Sequence, residues 1–235
     1  MSEKAINKWL LAVRVVWTAA CARSTRVFYD RISDIYEHVF TDHIIHIENI
    51  VALLSLAYPG RKKCLVLDLG CGTGLLSKAL CKRGFSVIGL DISLKSLHVL
   101  QHSDQRVLTI QGEIEYLPFK DNTFQAMCCL GVWRHLVHTE IVIAEICRVL
   151  GDHGTFVLGY FPPKFGGLFY IRNNTLGKLL ALIYSRLVNL IGYNDQIHSN
   201  FEKGALQSIR KRFQDVQKIK SGKYWYLIHA SRPPR

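Results

Sequence analysis

Short apolar runs recur through the middle of the chain, separated by stretches of helical spacing. Cys64 to Leu67 has no polar alternation, which suits a strand buried on both faces of a parallel sheet. Ser86 to Leu90, Val107 to Gln111, Gln125 to Leu130 and Thr155 to Tyr160 read as four further strands. Thr73 to Leu80, Ser93 to about His102 and Thr139 to Leu150 carry apolar residues at helical intervals between them. Strand and helix in alternation predict an α/β fold around a parallel sheet. Val216 to Lys220 and Tyr224 to Ala230, joined by Ser221-Gly222-Lys223, read as a closing antiparallel hairpin.

Helical patterns flank this block. Lys4 to Ala22 places Ile6, Trp9, Leu10, Val13, Val16, Trp17 and Ala20 on one side and Lys4, Asn7, Lys8, Arg14 and Thr18 opposite. That apolar side can pack on the domain's own core or lie on an anionic membrane, where two tryptophans and cationic flanks suit the interface. A cleaved secretory signal, suggested by Ala20-Cys21-Ala22, fits less well because Arg14 interrupts the apolar region. A helix is predicted from His43 to Tyr58, ended by Pro59-Gly60, and another from Glu202 to Phe213. Residues 161–201 form an insertion in which Thr175 to Ile191 is strongly amphipathic, a core helix or an apolar lid. The expected organisation is one domain over residues 1–235, with residues 1–58 as an N-terminal helical cap.

Composition supports one globular domain: 235 residues, 49% apolar and 20% charged, exclude global disorder. The net charge of +12 is unusual and favours an anionic partner, whether membrane surface, acidic substrate or nucleic acid. No zinc finger, RNP signature or basic zipper is present, so nucleic acid is a minor option. Seven cysteines without C-x-x-C spacing, several in predicted strands, read as small hydrophobes in a reducing, cytoplasmic setting. His43 and His46 with Glu48, and His98 with His102, have no third ligand at a convincing distance, so they read as solvated helix faces and no metal is expected.

The chemistry concentrates where the first strand meets the first helix of the block. Asp68-Leu69-Gly70-Cys71-Gly72-Thr73-Gly74 is a glycine-rich turn, where missing side chains let a ligand approach the backbone and the helix's first N–H groups are free to bond it. Asp91 ends the next strand about 20 residues on, the separation at which an acidic group takes ribose hydroxyls in nucleotide-binding βαβ units. The spacing is G-x-G-x-G, not the G-x-G-x-x-G that cradles a pyrophosphate.

On these residues the chain resembles the class I S-adenosylmethionine-dependent methyltransferases, and within them the ubiquinone/menaquinone-biosynthesis group, called methyltransferase type 11. The resemblance covers roughly residues 27–230. It implies a Rossmann-like, doubly wound, seven-stranded sheet, mostly parallel, with a C-terminal antiparallel hairpin and helices on both faces. S-adenosylmethionine is the implied cofactor, and Asp68, Gly70, Cys71, Gly72, Gly74, Asp91 and Ile92 fall on its binding motifs. Tyr29, in Tyr29-Asp30-Arg31-Ile32-Ser33-Asp34-Ile35-Tyr36, stands where the group has an aromatic that helps close the pocket. Gly112-Glu113-Ile114-Glu115-Tyr116-Leu117-Pro118-Phe119 resembles the adenine-binding motif, which puts Glu113 on the adenine amino group and Ile114 on the ring. Leu130 and Gly131 match positions that supply backbone to the methionine end, and His135 one that faces the reaction centre.

Methyl transfer from a sulfonium is an in-line displacement with a strong leaving group, so alignment and exclusion of water carry much of the acceleration. His135 is the expected catalytic base, since imidazole titrates near neutrality, with Tyr29 and His198 behind it. The expected activity is methyl transfer to a small apolar acceptor, quinone-like or lipid-like, by a cytoplasmic protein peripheral on the membrane. The alternatives are a soluble small-molecule or nucleic-acid methyltransferase, and a non-catalytic, cofactor-binding member of the fold.

Overall fold

The computed structural model describes residues 8–39, 44–60, 64–160, 183, 206–222 and 225–234. Seven strands form a single sheet: β1 (Leu65–Leu69), β2 (Ser86–Asp91), β3 (Leu108–Gln111), β4 (Phe124–Leu130), β5 (Leu150–Tyr160), β6 (Gln214–Ser221) and β7 (Trp225–Ser231). Their order is β3-β2-β1-β4-β5-β7-β6, with β3 to β5 parallel and β7 antiparallel to both β5 and β6. This is the expected seven-stranded plan.

Each central strand buries both faces, and the two-residue pleat divides its side chains between two cores. Val66, Val87, Ala126, Cys128 and Val157 meet α4 (Ile44–Ala57), α5 (Leu75–Lys82) and α6 (Leu94–Ser103). Leu67, Leu90, Met127, Cys129 and Phe156 meet α7 (Thr139–Val149), together with Ile209 and Phe213. Cys64, Cys71, Cys128 and Cys129 are buried free thiols, packed as small hydrophobes. The β5 strand begins five residues earlier than expected, at Leu150, and takes in the turn-like run Gly151 to Gly154; pairing with β4 shifts register between Phe124 and Ala126.

The N-terminal cap consists of α1 (Lys8–Cys21), α2 (Thr25–Ile32) and α3 (Tyr36–Val39), around a small core of Ala12, Val15, Ala19, Ala22, Phe28, Ile32 and Ile35. Of the two placements open for the apolar side of α1, packing on the core does not hold for Leu10, Val13 and Trp17, which are 68, 51 and 71% exposed, while Ala12, Val15, Thr18 and Ala19 are buried. The alanine face wins because α2 and α3 approach α1 closely, which small side chains permit and a tryptophan does not.

His46 is a correction. It lies buried in α4, not on a solvated face, with Nδ1 2.7 Å from Ser221 Oγ, to which Asn49 Nδ2 also donates at 2.8 Å. The pair pins α4 to the β6–β7 hairpin. Burial pushes the imidazole down to about 4. His98 and His102 are exposed, as expected. The insertion, its amphipathic helix Thr175 to Ile191, and His43 and His198 lie outside the described residues, Ile183 excepted.

Candidate functional site

The sheet order reverses direction between β1 and β4, and ligands of open α/β sheets bind at the carboxyl ends of the strands beside such a reversal. A cavity of about 410 Å³ opens there. The turn after β1, the end of β2, the loop after β3 and the turn after β4 form its floor and walls, and α2 closes it from above.

Three hydrogen bonds to β2 shape the β1 turn. Gly70 and Cys71 donate their N–H groups to Leu90 O at 2.7 and 3.1 Å, which ties the turn to β2. Gly72 donates its N–H to Asp91 Oδ2 at 2.8 Å, and Ser93 N–H donates to Asp91 Oδ1 at 2.8 Å. The Asp91 carboxylate is thereby held at the cavity wall, each oxygen keeping further acceptor capacity. Burial raises its proton affinity above the usual carboxylate range, against the two backbone donors.

The three glycines differ in what they face. All have positive φ, at 69, 54 and 86° for Gly70, Gly72 and Gly74. A Cβ on Gly70 would collide with Val132, and one on Gly74 with Leu100, whereas one on Gly72 would meet nothing within 4 Å. Gly72 thus opens onto the cavity, while Gly74 allows close packing of the turn on α6.

Ten of the residues singled out in the sequence line this cavity: Tyr29, Gly70, Gly72, Asp91, Ile92, Glu113, Ile114, Leu130, Gly131 and His135. Asp68, Cys71 and Gly74 do not. Asp68 is buried and accepts from Ser77 Oγ at 2.6 Å, bracing the turn against α5; burial, with the Asp91 charge behind it, pushes its carboxyl up to about 7. Asp68 and Cys71 border a smaller cavity behind the turn with Thr73, whose buried hydroxyl has no hydrogen-bond partner among the described residues. Burial raises the Cys71 thiol well above its usual range.

The wall opposite Asp91 follows β4. Gly131, at φ 75°, starts a 3₁₀ turn over Trp133–His135, and buried Trp133 roots this turn in the core beside Phe156. His135 is thereby aimed at the cavity, where its Nε2 lies 2.9 Å from Tyr29 Oη, the two rings meeting edge to face. Asp30, the next residue, fastens α2 in place: its Oδ1 accepts from Ser93 Oγ at 2.7 Å and Lys95 N–H at 3.3 Å, just past Asp91. Lys78 to Glu37, at 2.8 Å, ties α3 to α5.

Thr25, Tyr36, Ser96, Tyr116, Val132, Leu136 and His138 also line the cavity and were not expected there. Tyr36 carried a signal, since it closes the same string that contains Tyr29.

Comparison with known proteins agrees with this geometry. Residues 67–158 match the family model described as a methyltransferase domain. A demethylmenaquinone methyltransferase of Renibacterium salmoninarum is 32% identical over 131 residues, 55% of this chain and 54% of that one. An uncharacterized protein of Methanocaldococcus jannaschii is 34% identical over 119 residues, 51% of this chain and 49% of that one. The chain thus spans about half the length of these curated relatives. The crystal structure of a putative S-adenosyl-L-methionine-dependent methyltransferase from Methanococcus maripaludis matches the fold with a TM-score of 0.62 at 19% identity, over 100% of this chain and 98% of that one. Residues 67–158 are thus matched as a methyltransferase domain, set in a sheet of order β3-β2-β1-β4-β5-β7-β6 whose fold is that of the Methanococcus maripaludis structure.

Proposed function

We propose that the protein transfers a methyl group from S-adenosylmethionine to a small, largely apolar acceptor whose nucleophilic atom sheds a proton to His135. One observation carries this reading: the Tyr29–His135 pair stands in the same cavity as Gly72, Asp91 and Glu113. A nucleotide-binding wall and a proton-accepting group therefore face one space.

The residues present fit the cofactor. Gly72 leaves its cavity side bare, Asp91 offers carboxylate oxygens to a ribose diol, and Glu113 and Ile114 offer an acceptor and an apolar surface to an adenine. The unpartnered Thr73 hydroxyl lies in the smaller cavity behind the turn, where the amino-acid end of such a ligand would supply a partner. When bound, the cofactor supplies an electrophilic methyl group on a positively charged sulfur.

The chain's own residues do the rest. Val132 and Leu136 give the wall near His135 an apolar lining that favours an apolar acceptor and keeps water from competing. Tyr29 Oη, by its hydrogen bond, holds the imidazole in place; an entering acceptor takes its position on His135 Nε2, which receives the acceptor's proton as the new bond to carbon forms and the sulfur–carbon bond breaks. The Renibacterium salmoninarum relative is a demethylmenaquinone methyltransferase, which supports a quinol-like acceptor here.

Incubation with isotopically labelled S-adenosylmethionine and a panel of quinols, phenols and lipid extracts, read by mass spectrometry, tests the proposal. A labelled product from an apolar hydroxylated acceptor, lost in His135→Gln, is expected. Label on polar acceptors alone would overturn the acceptor assignment.

A further inference from the structure

We propose that the outward face of α1 docks the protein on an anionic lipid bilayer. Helix α1 is apolar nearly all the way round, and a helix of that kind ordinarily has both sides covered. One side is covered: Ala12, Val15 and Ala19 pack on α2 and α3. On the other, Leu10, Val13 and Trp17 sit at i, i+3 and i+7 and are 68, 51 and 71% exposed, a continuous stripe along one line of the helix. With 14 residues α1 is about 21 Å long. Among the described residues no helix is long and apolar enough to cross a membrane, so the stripe lies in an interface and does not span it.

Charge and area choose the occupant. Arg14, one turn from both Leu10 and Trp17, is paired with Asp34, whereas Arg23 and Arg26 are exposed just beyond the helix and supply cations at the end of the stripe, on a chain of net charge +12. Tryptophan with neighbouring arginines suits the headgroup boundary of an anionic bilayer. A second copy would bring an equal positive charge against this one. Three side chains also offer roughly a few hundred Å², short of the ~800 Å² per partner of a stable dimer.

The consequence for the site, which rests on the acceptor reading above, follows from the helix beneath. Helix α1 packs on α2, and α2 carries Thr25 and Tyr29 over the cavity. Docking by α1 brings the roof of the cavity to the membrane, where an apolar acceptor is dissolved.

The test is flotation of the full chain with vesicles of phosphatidylcholine alone and of phosphatidylcholine with phosphatidylglycerol, for wild type and Leu10→Glu/Trp17→Glu. Both positions are exposed, so folding is expected to survive, and unchanged cofactor affinity by calorimetry verifies it. Wild type should float with the anionic vesicles, less with the neutral ones, and the double variant should bind at least ~10-fold more weakly. Equal flotation of variant and wild type, or wild type left in solution with both vesicles, would overturn the proposal. So would sedimentation showing a dimer that the double variant dissolves, which would assign the face to a second copy. Cofactor binding without vesicle binding refutes the docking and leaves the methyltransferase reading intact.

Discussion

Gly72 and Gly74 both have positive φ in the same turn, and the structure predicts opposite consequences for replacing them with alanine. A methyl on Gly74 would collide with Leu100 Cδ1 and stand 2.9 Å from its Cδ2 and Cγ, and Leu100 is fully buried. Overpacking of that kind costs about 1–3 kcal/mol, to which the left-handed backbone adds about 1 kcal/mol. Gly74→Ala should therefore lose roughly 2–4 kcal/mol, or about 5–15 °C in Tm for a domain of this size. Gly72→Ala meets nothing within 4 Å, so it bears only the backbone cost, about 1 kcal/mol and 2–4 °C. Its methyl nevertheless enters the cavity where the ligand must come against the backbone. S-adenosylmethionine affinity should thus fall by about tenfold or more in Gly72→Ala, the cost of displacing a close contact by ~1.4 kcal/mol. Thermal unfolding and titration calorimetry on the two variants separate the effects. Gly72→Ala binding the cofactor as wild type does, or melting as low as Gly74→Ala, would refute the assignment of one glycine to the ligand and the other to the core.

Three further substitutions address proton handling. With an acceptor in hand, His135→Gln should lower kcat about 10²-fold near neutral pH and change cofactor affinity little, and the loss should shrink at higher pH if the acceptor ionises unaided. Asp68→Asn should stabilise the protein at alkaline pH. Burial raises the folded carboxyl from 3.8 to about 7, so wild-type stability is fully present below the unfolded value and declines as pH rises through that window; the variant should gain on the order of a few kcal/mol above about pH 8, measured by denaturant unfolding. His46 has the opposite sign, since its folded value is depressed from 6.5 to about 4: its contribution is complete above 6.5 and is lost as pH falls toward 4. His46→Asn should be less stable than wild type at neutral pH, and the gap should close by about 2 kcal/mol near pH 5. A gap that does not move with pH would contradict the buried neutral imidazole.

The central fold was legible because its strands are buried on both faces and so appear as unbroken apolar runs. The turn was legible because G-x-G-x-G is a local pattern whose cause, bare backbone, lies within the same few residues. Asp68 lies off the main cavity for a readable reason: it shares a pleat face with Val66, which turns it toward α5 and Ser77 and onto the smaller cavity behind the turn. What closes the site was less legible. Thr25, Tyr36 and His138 reach the cavity only through the packing of the cap and of the turn after β4, which no local pattern encodes. Likewise His46 finds Ser221 across 175 residues of chain, so its helix gave no hint of the partner. On α1 the pattern showed an apolar helix but left open what its tryptophan side meets, because close packing on α2 and α3 selects the alanine side and only the assembled cap reveals it.

The proposed activity requires a cofactor held between the bare turn at Gly72 and the carboxylate of Asp91. Titration calorimetry of S-adenosylmethionine into wild type and Asp91→Ala, with thermal unfolding as the folding control, tests it most directly. Wild type should bind, and the variant should lose about 10- to 100-fold, since charged hydrogen bonds are worth ~1.5–3 kcal/mol. A folded variant with undiminished affinity, or a wild type that takes up no cofactor, would contradict it.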